Sequence, residues 1–127
     1  MGENISNLKL QKLLYYAQGF HLAMNAAPLF IEEIRAWQHG PVVPQLYRKY
    51  REFGATALPT PEGFDPTEVD ADAQEVIEEA YSVYGQYSAW GLRNLTHDEL
   101  PWKDTPTNGV IAHEAMRRYF ADNLINA

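Results

Sequence analysis

The stretch that most constrains the fold is residues 8–24, LKLQKLLYYAQGFHLAM. On a helix, one broad apolar stripe consists of Leu10, Leu13, Leu14, Ala17, Phe20 and Met24. A second, narrower stripe on nearly the opposite side consists of Leu8, Tyr15 and Leu22. A surface helix has one apolar face, so apolar residues on two sides predict a helix packed between other elements. We therefore expect this helix to form the centre of the core.

The ends and the middle of this predicted helix carry further signals. Asn4, Ser6 or Asn7 is a suitable N-cap, and Asn25 is a suitable stop. Gly19 lies in the interior, where glycine costs about 1 kcal/mol relative to alanine. That cost predicts a position at which another backbone approaches the helix closely.

The composition limits the class of protein. The chain has 127 residues and a net charge of −7, and it contains no cysteine. Its length predicts a single domain spanning residues 1–127. Without a membrane-length apolar run or a signal peptide, we expect a cytoplasmic protein with no membrane partner. Because binding to phosphates needs basic surfaces, we expect no direct contact with nucleic acid.

The rest of the chain predicts more helices and little sheet. Residues 31–38 suggest a short strand that pairs with residues 110–111, after the Asn108–Gly109 turn. Prolines constrain the loop at residues 39–44, and helices are expected over residues 44–53, 70–84, 88–95 and from 112 onward. Residues 55–67 suggest an irregular loop and residues 96–104 a turn. The predicted fold is mainly α, a compact single domain of about five helices around a buried N-terminal helix, with at most a small two-stranded β patch.

A search for catalytic or metal-binding groups finds little. The four histidines lack metal-ligand spacing, and His21, within the central helix, is expected to be a hydrogen-bonded interior residue. Phosphate-binding glycine motifs are also missing from the sequence. One alternative is a small hydrolase with Ser88 as nucleophile and His97 as base, although Ser88 does not lie in a nucleophile elbow. We expect no enzyme activity, no cofactor and no metal.

Acidic residues are concentrated between residues 54 and 80, where lysine and arginine are absent. They are Glu62, Asp65, Glu68, Asp70, Asp72, Glu75, Glu78 and Glu79. One interpretation is a solvated surface that needs no partner. The other is an electrostatic attraction for a basic partner, which would place these acids, Glu68 aside, at or beside an interface.

Large aromatic residues provide a second candidate interface. The chain has eight tyrosines, three tryptophans and five phenylalanines, more than a catalytic role requires. Because tyrosine and tryptophan often anchor interfaces, we expect a partner-binding surface in or next to Trp37, His39, Pro41 and Tyr47, with Trp102 as a further candidate. The alternative is that residues 39–44 only order the strand containing Trp37 against the following helix.

Five sequence blocks resemble one known family. They are KLQKLLYYAQGFHLA (residues 9–23), PLF (28–30), IRAWQHGPVVPQLY (34–47), YGQYSAWGLRNLTHDELPWKD (84–104) and RRYF (117–120). In this order and spacing they are similar to the SocA-like antitoxin domain, also called the Panacea domain. The resemblance spans nearly the whole chain and is weakest over residues 55–72.

The resemblance implies a mostly helical antitoxin of bacteria or phages that binds a cognate protein toxin. It supplies no catalytic residues. One branch of the family resembles a proteolytic adaptor, so an ATP-dependent protease is an alternative partner. Longer relatives add a helix-turn-helix DNA reader, for which this chain has no spare length. The toxin, the oligomeric state, and the choice between masking and proteolytic delivery stay open.

Overall fold

The computed structural model describes residues 5–54, 56, 58 and 70–125. Its first helix, α1, spans Asn7–Asn25 and is capped by Ser6, whose hydroxyl accepts a hydrogen bond from the backbone N–H of Lys9 at 3.3 Å. The helix ends where Ala26 adopts a left-handed conformation with φ of 57°. Every other main element of the described chain packs against α1 or against a neighbour of α1. The predicted central helix is confirmed.

The buried surface of α1 differs from the predicted stripes. Tyr15, Ala17, Phe20 and Leu22 are buried as expected, whereas Met24 is 44% exposed. The difference arises because α1 also buries polar side chains, namely Asn7, Gln11, Lys12 and Gln18. Apolar periodicity does not detect such positions, because each polar group is buried only by virtue of a distant hydrogen-bond partner.

Those polar side chains bind the backbone of neighbouring segments. The Gln18 carboxamide accepts from the backbone N–H of Leu29 at 2.6 Å and donates to the carbonyl of Phe30 at 2.8 Å. The Gln11 carboxamide accepts from the N–H of Val43 at 2.8 Å. The Asn7 amide donates to the carbonyl of Tyr47 at 3.0 Å. The loop at residues 29–30, the residue that precedes α2 and a carbonyl within α2 are therefore tied directly to the central helix.

The small sheet is an antiparallel pair of β1 (Arg35–Trp37) and β2 (Gly40–Val42). Its principal pairing was not the predicted one, because residues 40–42 of the proline-rich loop form the second strand. The predicted contact with residues 110–111 is also made, as an antiparallel bridge between Arg35 and Val110 that is flanked by backbone hydrogen bonds from Ile111 to the carbonyl of Ile34 at 2.8 Å and from Ala36 to the carbonyl of Gly109 at 3.0 Å. Gly40 permits the tight hairpin with φ of 111°. Of the two prolines in residues 39–44, Pro41 lies within the short strand β2 and Pro44 begins the next helix, so neither prevents a ladder of three residue pairs.

The middle helices follow the predicted order. Helix α2 spans Pro44–Tyr50 and continues as a 3-10 turn over Arg51–Phe53. Helix α3 spans Ala71–Tyr84 and buries Ala73, Val76, Ala80 and Tyr84. Helix α4 spans Ala89–His97, and the Ser88 hydroxyl caps it by accepting from the N–H of Gly91 at 2.9 Å. Ile77 on α3 and Trp90 on α4 are exposed although both side chains are large and apolar.

The last elements include one helix that was not predicted. Residues 96–104 contain the short helix α5 (Leu100–Lys103) rather than only a turn. Helix α6 spans His113–Phe120 and continues as a π-helical turn over Ala121–Ile125. The described chain is mainly helical, with six α-helices and one two-stranded sheet, which confirms the predicted fold class.

An aromatic cluster joins α1, α3 and α6. The rings of Tyr16 and Tyr84 stack at 3.7 Å, and Phe120 contacts the edges of the Tyr15, Tyr16 and Phe20 rings. A Cβ placed at Gly19 would overlap the Phe120 ring. Gly19 therefore admits a side chain of α6, whereas the sequence suggested the approach of another backbone.

Candidate functional site

An aromatic cup opens beside the β hairpin. It is a shallow cavity of about 400 Å³ whose floor and walls are mainly apolar. The rings of Trp37 and Tyr47 meet edge to face, with centroids 5.3 Å apart, and both are half-buried. The residues that line the aromatic cup are Leu8, Trp37, Gln38, His39, Val42, Tyr47, Thr107 and Asn108. Three predicted interface residues, Trp37, His39 and Tyr47, are therefore brought together.

Asn108 holds the cup in shape from one side. Its backbone has φ of 64°, a left-handed conformation that asparagine tolerates better than most residues. Its side-chain oxygen accepts from the indole N–H of Trp37 at 3.0 Å, and its carbonyl accepts from Arg35 at 2.8 Å. Its own N–H donates to the carbonyl of Ala36 at 2.7 Å. These bonds fix the Trp37 ring without any contribution from a ligand.

The two other predicted aromatic-surface residues lie behind the cup. Pro41 is buried, and its carbonyl accepts from the Lys12 ammonium at 3.0 Å, so it supports the surface from below. Trp102 donates its indole N–H to the carbonyl of Trp37 at 2.9 Å. The Trp102 ring also stacks on His97 at 4.0 Å. Both residues position the hairpin and do not line the cavity.

A group of basic side chains that includes His39 lies next to the aromatic cup. We call this group the basic corner, and it comprises Lys12, His39, Arg93 and His97. Gly40 allows the hairpin to pack closely against α1 and α4, because a Cβ at Gly40 would lie only 2.8 Å from both the Lys12 side chain and the Thr96 hydroxyl. The basic corner is thus built from α1, α4 and the hairpin turn.

The electrostatics of the basic corner disfavour positive charge. Burial, and after it the Arg93 guanidinium, lowers the pKa of the Lys12 ammonium to about 7. Burial and then Arg93 likewise lower the pKa of the His97 imidazole, against the opposing effect of a hydrogen bond to the Gln38 backbone, and Lys12 and His39 lower it slightly further.

A buried carboxyl lies deeper in the core. Glu99 is 8% exposed and accepts hydrogen bonds from the hydroxyls of Tyr15 at 3.0 Å and Tyr16 at 2.8 Å. Burial raises its pKa to about 7, although both hydroxyls act in the opposite direction. The same burial, together with Glu99, raises the pKa of each tyrosine. This arrangement is enclosed by the core and gives a substrate no access.

The predicted acidic surface is present where the structure describes it. Five acids of the run, Asp70, Asp72, Glu75, Glu78 and Glu79, are all exposed at or along α3. None of them forms an ion pair with another described residue. Glu62 and Asp65, like Glu68, lie outside the described residues. The acidic face of α3 and the aromatic cup are formed by different elements of the chain.

The hydrolase alternative has no geometric support. Ser88 precedes the first residue of α4 and His97 is its last, so at 1.5 Å per residue they are about 13 Å apart. Ser88 is engaged as a helix cap, and His97 is stacked on Trp102.

Over the described ranges, no group of acids and histidines could hold a metal ion. No helix in that part of the chain is long and apolar enough to cross a bilayer. His21 is a buried residue whose Nδ1 lies 2.6 Å from the carbonyl of Ala27, as predicted.

Sequence reasoning missed the residues that organise these surfaces. The Asn108–Gly109 pair did signal a turn, but its bond to Trp37 depends on a contact across 71 positions. Neither Lys12 nor Arg93 belongs to a recognisable motif in the sequence. No local pattern distinguishes these two residues, because their environment comes from the hairpin turn that packs over α1 and α4.

Comparisons with known proteins agree with the sequence resemblance. The family described as "Antitoxin SocA-like, Panacea domain" matches residues 10–103. Antitoxin SocA of Caulobacter vibrioides (strain NA1000 / CB15N) is 36% identical over 132 aligned positions, which cover 95% of this chain and 70% of the relative. No solved structure matches the chain. The match over most of the sequence, together with the mainly helical fold, shows that the chain belongs to the SocA-like antitoxin family and carries its Panacea domain.

Proposed function

We propose that the protein neutralises a cognate protein toxin by binding it stoichiometrically and covering its functional surface. Membership of the SocA-like family supports an antitoxin role and, in general terms, a toxin partner. The observation that carries the binding mechanism is the aromatic cup, in which Asn108 holds the indole of Trp37 and Asn7 binds the backbone carbonyl of Tyr47. A surface that is ordered before binding loses little entropy when a partner docks.

The cup has the properties of an interface anchor. Its two large rings are half-buried and meet edge to face, and the cup is also lined by Leu8, Val42, Gln38 and Asn108. Tryptophan and tyrosine contribute disproportionately to binding free energy when they lie at the centre of an interface. The proposed contact residues here are Trp37, His39 and Tyr47, with Pro41 and Trp102 supporting them.

The acidic face of α3 is proposed to guide the toxin toward this interface. Asp72, Glu75, Glu78 and Glu79 include like-charged pairs three or four residues apart, each of which costs about 0.2–0.5 kcal/mol in a helix. A toxin that acts on nucleic acid or nucleotides needs a basic surface, and an acidic antitoxin would cover it. Because exposed charges act mainly on the association rate, these acids, with Asp70 and the neighbouring Glu62 and Asp65, are expected to speed association.

The test begins with the gene next to the one that encodes this chain. Its product is expressed alone and together with the antitoxin, and growth is scored. Purified proteins are then mixed, and the association and dissociation rates are measured at several salt concentrations. Co-expression that leaves growth inhibited, with no complex between the purified proteins, would refute the proposal.

Two sets of variants separate the contributions of the surfaces. Tyr47→Ala and Trp37→Phe are expected to raise the dissociation rate, because they remove part of the anchor. Replacing Asp72, Glu75, Glu78 and Glu79 by their amides is expected to slow association and to reduce its dependence on salt. An unchanged association rate with unchanged salt dependence would remove the acidic face from the mechanism. Melting temperatures of the variants are the control for folding.

The same co-expression distinguishes masking from delivery to an ATP-dependent protease. Under masking, the toxin accumulates in a complex and its lifetime in the cell does not shorten. Under delivery, the toxin is lost when the antitoxin and the protease are both present, and it returns in a strain that lacks the protease.

A further inference from the structure

Arg93 is a partly buried cation without a compensating negative charge in the described chain. Its guanidinium lies over the Trp90 ring at 4.4 Å, and its Nη1 donates to the side-chain oxygen of Asn94 at 3.0 Å. Its Nε is buried and has no hydrogen-bond partner among the described residues. Buried donors are nearly always satisfied in folded proteins, so this nitrogen requires an explanation.

The residues around Arg93 add to this local excess of positive charge and of unsatisfied N–H groups. His97 follows one turn later on α4, and its Nε2 is also buried without a partner in the part of the chain described. Lys12 and His39 complete the basic corner, and no acid interacts with Arg93 there. The electrostatic effect is visible in the lowered pKa of both Lys12 and His97, for which Arg93 is the second largest cause after burial. This imbalance occurs in a chain whose net charge is −7.

The basic corner is open to solvent at one edge and adjoins the aromatic cup. Trp90, on which Arg93 stacks, is 56% exposed, and its ring centroid lies 6.2 Å from that of the exposed His39. His39 also lines the cup. A partner segment that places an apolar side chain in the cup would therefore pass next to Arg93.

We propose that the basic corner binds the carboxylate of an aspartate or glutamate side chain of the cognate toxin, beside an apolar side chain that enters the aromatic cup. The proposal rests on the proposed function, since it names a contact within the toxin interface. Because its Nε is buried, Arg93 would bind the carboxylate through its two terminal Nη groups, which can donate side by side to the two oxygens. The exposed His39 ring, 6.2 Å from the Trp90 ring on which Arg93 stacks, offers a further N–H donor. A protein carboxylate suits the site better than a nucleic-acid phosphate, because the cup is apolar and the chain is acidic.

Arg93→Gln tests the inference against the bound toxin. The variant is expected to weaken toxin binding by about 30-fold or more, the usual consequence of removing one partner of a desolvated charge pair. Its melting temperature is expected to be unchanged or higher, because an uncompensated cation is lost. A merely structural arginine would instead lower the melting temperature and leave the affinity of the folded fraction unchanged. Arg48→Gln on α2, an exposed position, is the matched control and is expected to change affinity by less than about 3-fold.

A second measurement uses the antitoxin alone. The ring protons of His97 are followed by NMR while sodium acetate replaces sodium chloride at constant ionic strength. Acetate is expected to raise the pKa of His97 in the wild-type protein and to have no effect in Arg93→Gln. Equal toxin affinity of Arg93→Gln and the wild type, or a response to inorganic phosphate but not to acetate, would overturn the inference.

The two measurements keep this inference separate from the proposed function. If the wild type binds the toxin and Arg93→Gln binds it equally well, masking stands and the carboxylate contact is rejected. If the wild type binds no toxin, the proposed function is refuted, and the toxin is no longer a candidate source of the carboxylate. The acetate titration then decides independently whether the basic corner recognises carboxylates.

Discussion

Gly19→Ala provides a decisive test of the packing of α1 against α6. Helix propensity alone predicts that the change stabilises the protein by about 1 kcal/mol, because glycine is a poor residue in a helix interior. The structure predicts the opposite sign, because the added Cβ would overlap the Phe120 ring. That ring is fully buried and in edge contact with Tyr15, Tyr16 and Phe20, so it has little room to move.

The expected loss follows from the two opposing contributions. Overpacking a core costs about 1–3 kcal/mol, and this site belongs at the upper end because the clash is with an enclosed ring. Subtracting the gain in helix propensity leaves a net destabilisation of about 2 kcal/mol. For a domain of this size, the melting temperature should fall by roughly 6–10 °C. Thermal unfolding followed by circular dichroism, with urea unfolding alongside, measures the change.

Two comparisons make the result interpretable. Gly91→Ala in α4 is the matched control, because its nearest neighbour, the Ser88 hydroxyl, would lie 3.2 Å from the new Cβ. Helix propensity should then leave it as stable as the wild type or more stable by up to about 1 kcal/mol. Phe120→Leu in the Gly19→Ala background should cost less than Phe120→Leu alone, since a smaller side chain relieves the overlap. Additive effects, or a Gly19→Ala variant at least as stable as the wild type, would refute the packing described here.

Three further predictions concern polar side chains. Stability should pass through a minimum near pH 7. The raised pKa of Glu99 removes up to roughly 3 kcal/mol as the pH rises from about 4.5 to 7, and the lowered pKa of Lys12 removes up to roughly 5 kcal/mol as the pH falls from about 10.5 to 7. Urea unfolding across this range should show the acid-side slope flattened in Glu99→Gln and the alkaline-side slope flattened in Lys12→Met; a wild-type profile without a minimum would contradict both assignments. Gln18→Leu should lose about 2–4 kcal/mol in urea unfolding, because it leaves the backbone of residues 29–30 without hydrogen-bond partners, and a loss below 1 kcal/mol would mean that those groups find others. Asn108→Ala should cost about 1–2 kcal/mol and change the near-ultraviolet circular dichroism of the indole in the aromatic cup, with Asn108→Gly milder because glycine tolerates the left-handed backbone.

The local features of this protein were readable from short stretches of sequence. The capping of α4 by Ser88, the end of α1 at Asn25 and the order of the main helices all follow from residues close together in the chain. These features depend on intrinsic backbone preferences and on side chains a few positions apart. The family resemblance could likewise be found in the sequence, because it rests on the order of whole blocks.

The strand pairing could not be read in the same way. Residues 31–38 were predicted to contain a short strand, but its partner was expected at residues 110–111, the only other β-like stretch, because the prolines of residues 39–44 suggested a loop. The hairpin forms because Gly40 adopts a positive φ and Lys12 binds the carbonyl of Pro41. That second contact joins positions 29 residues apart, and no local propensity encodes it.

The candidate binding surfaces show the same division. The aromatic residues Trp37 and Tyr47 could be nominated from composition and spacing, since large aromatic side chains are useful at interfaces. Their arrangement into a cup depends on Asn108, and the adjoining basic corner depends on the approach of Arg93 to Lys12 and His97. The physical reason is that burial and charge compensation are properties of a position in the fold. A lysine or arginine acquires them only when elements distant in sequence remove it from water and leave it without an acidic partner.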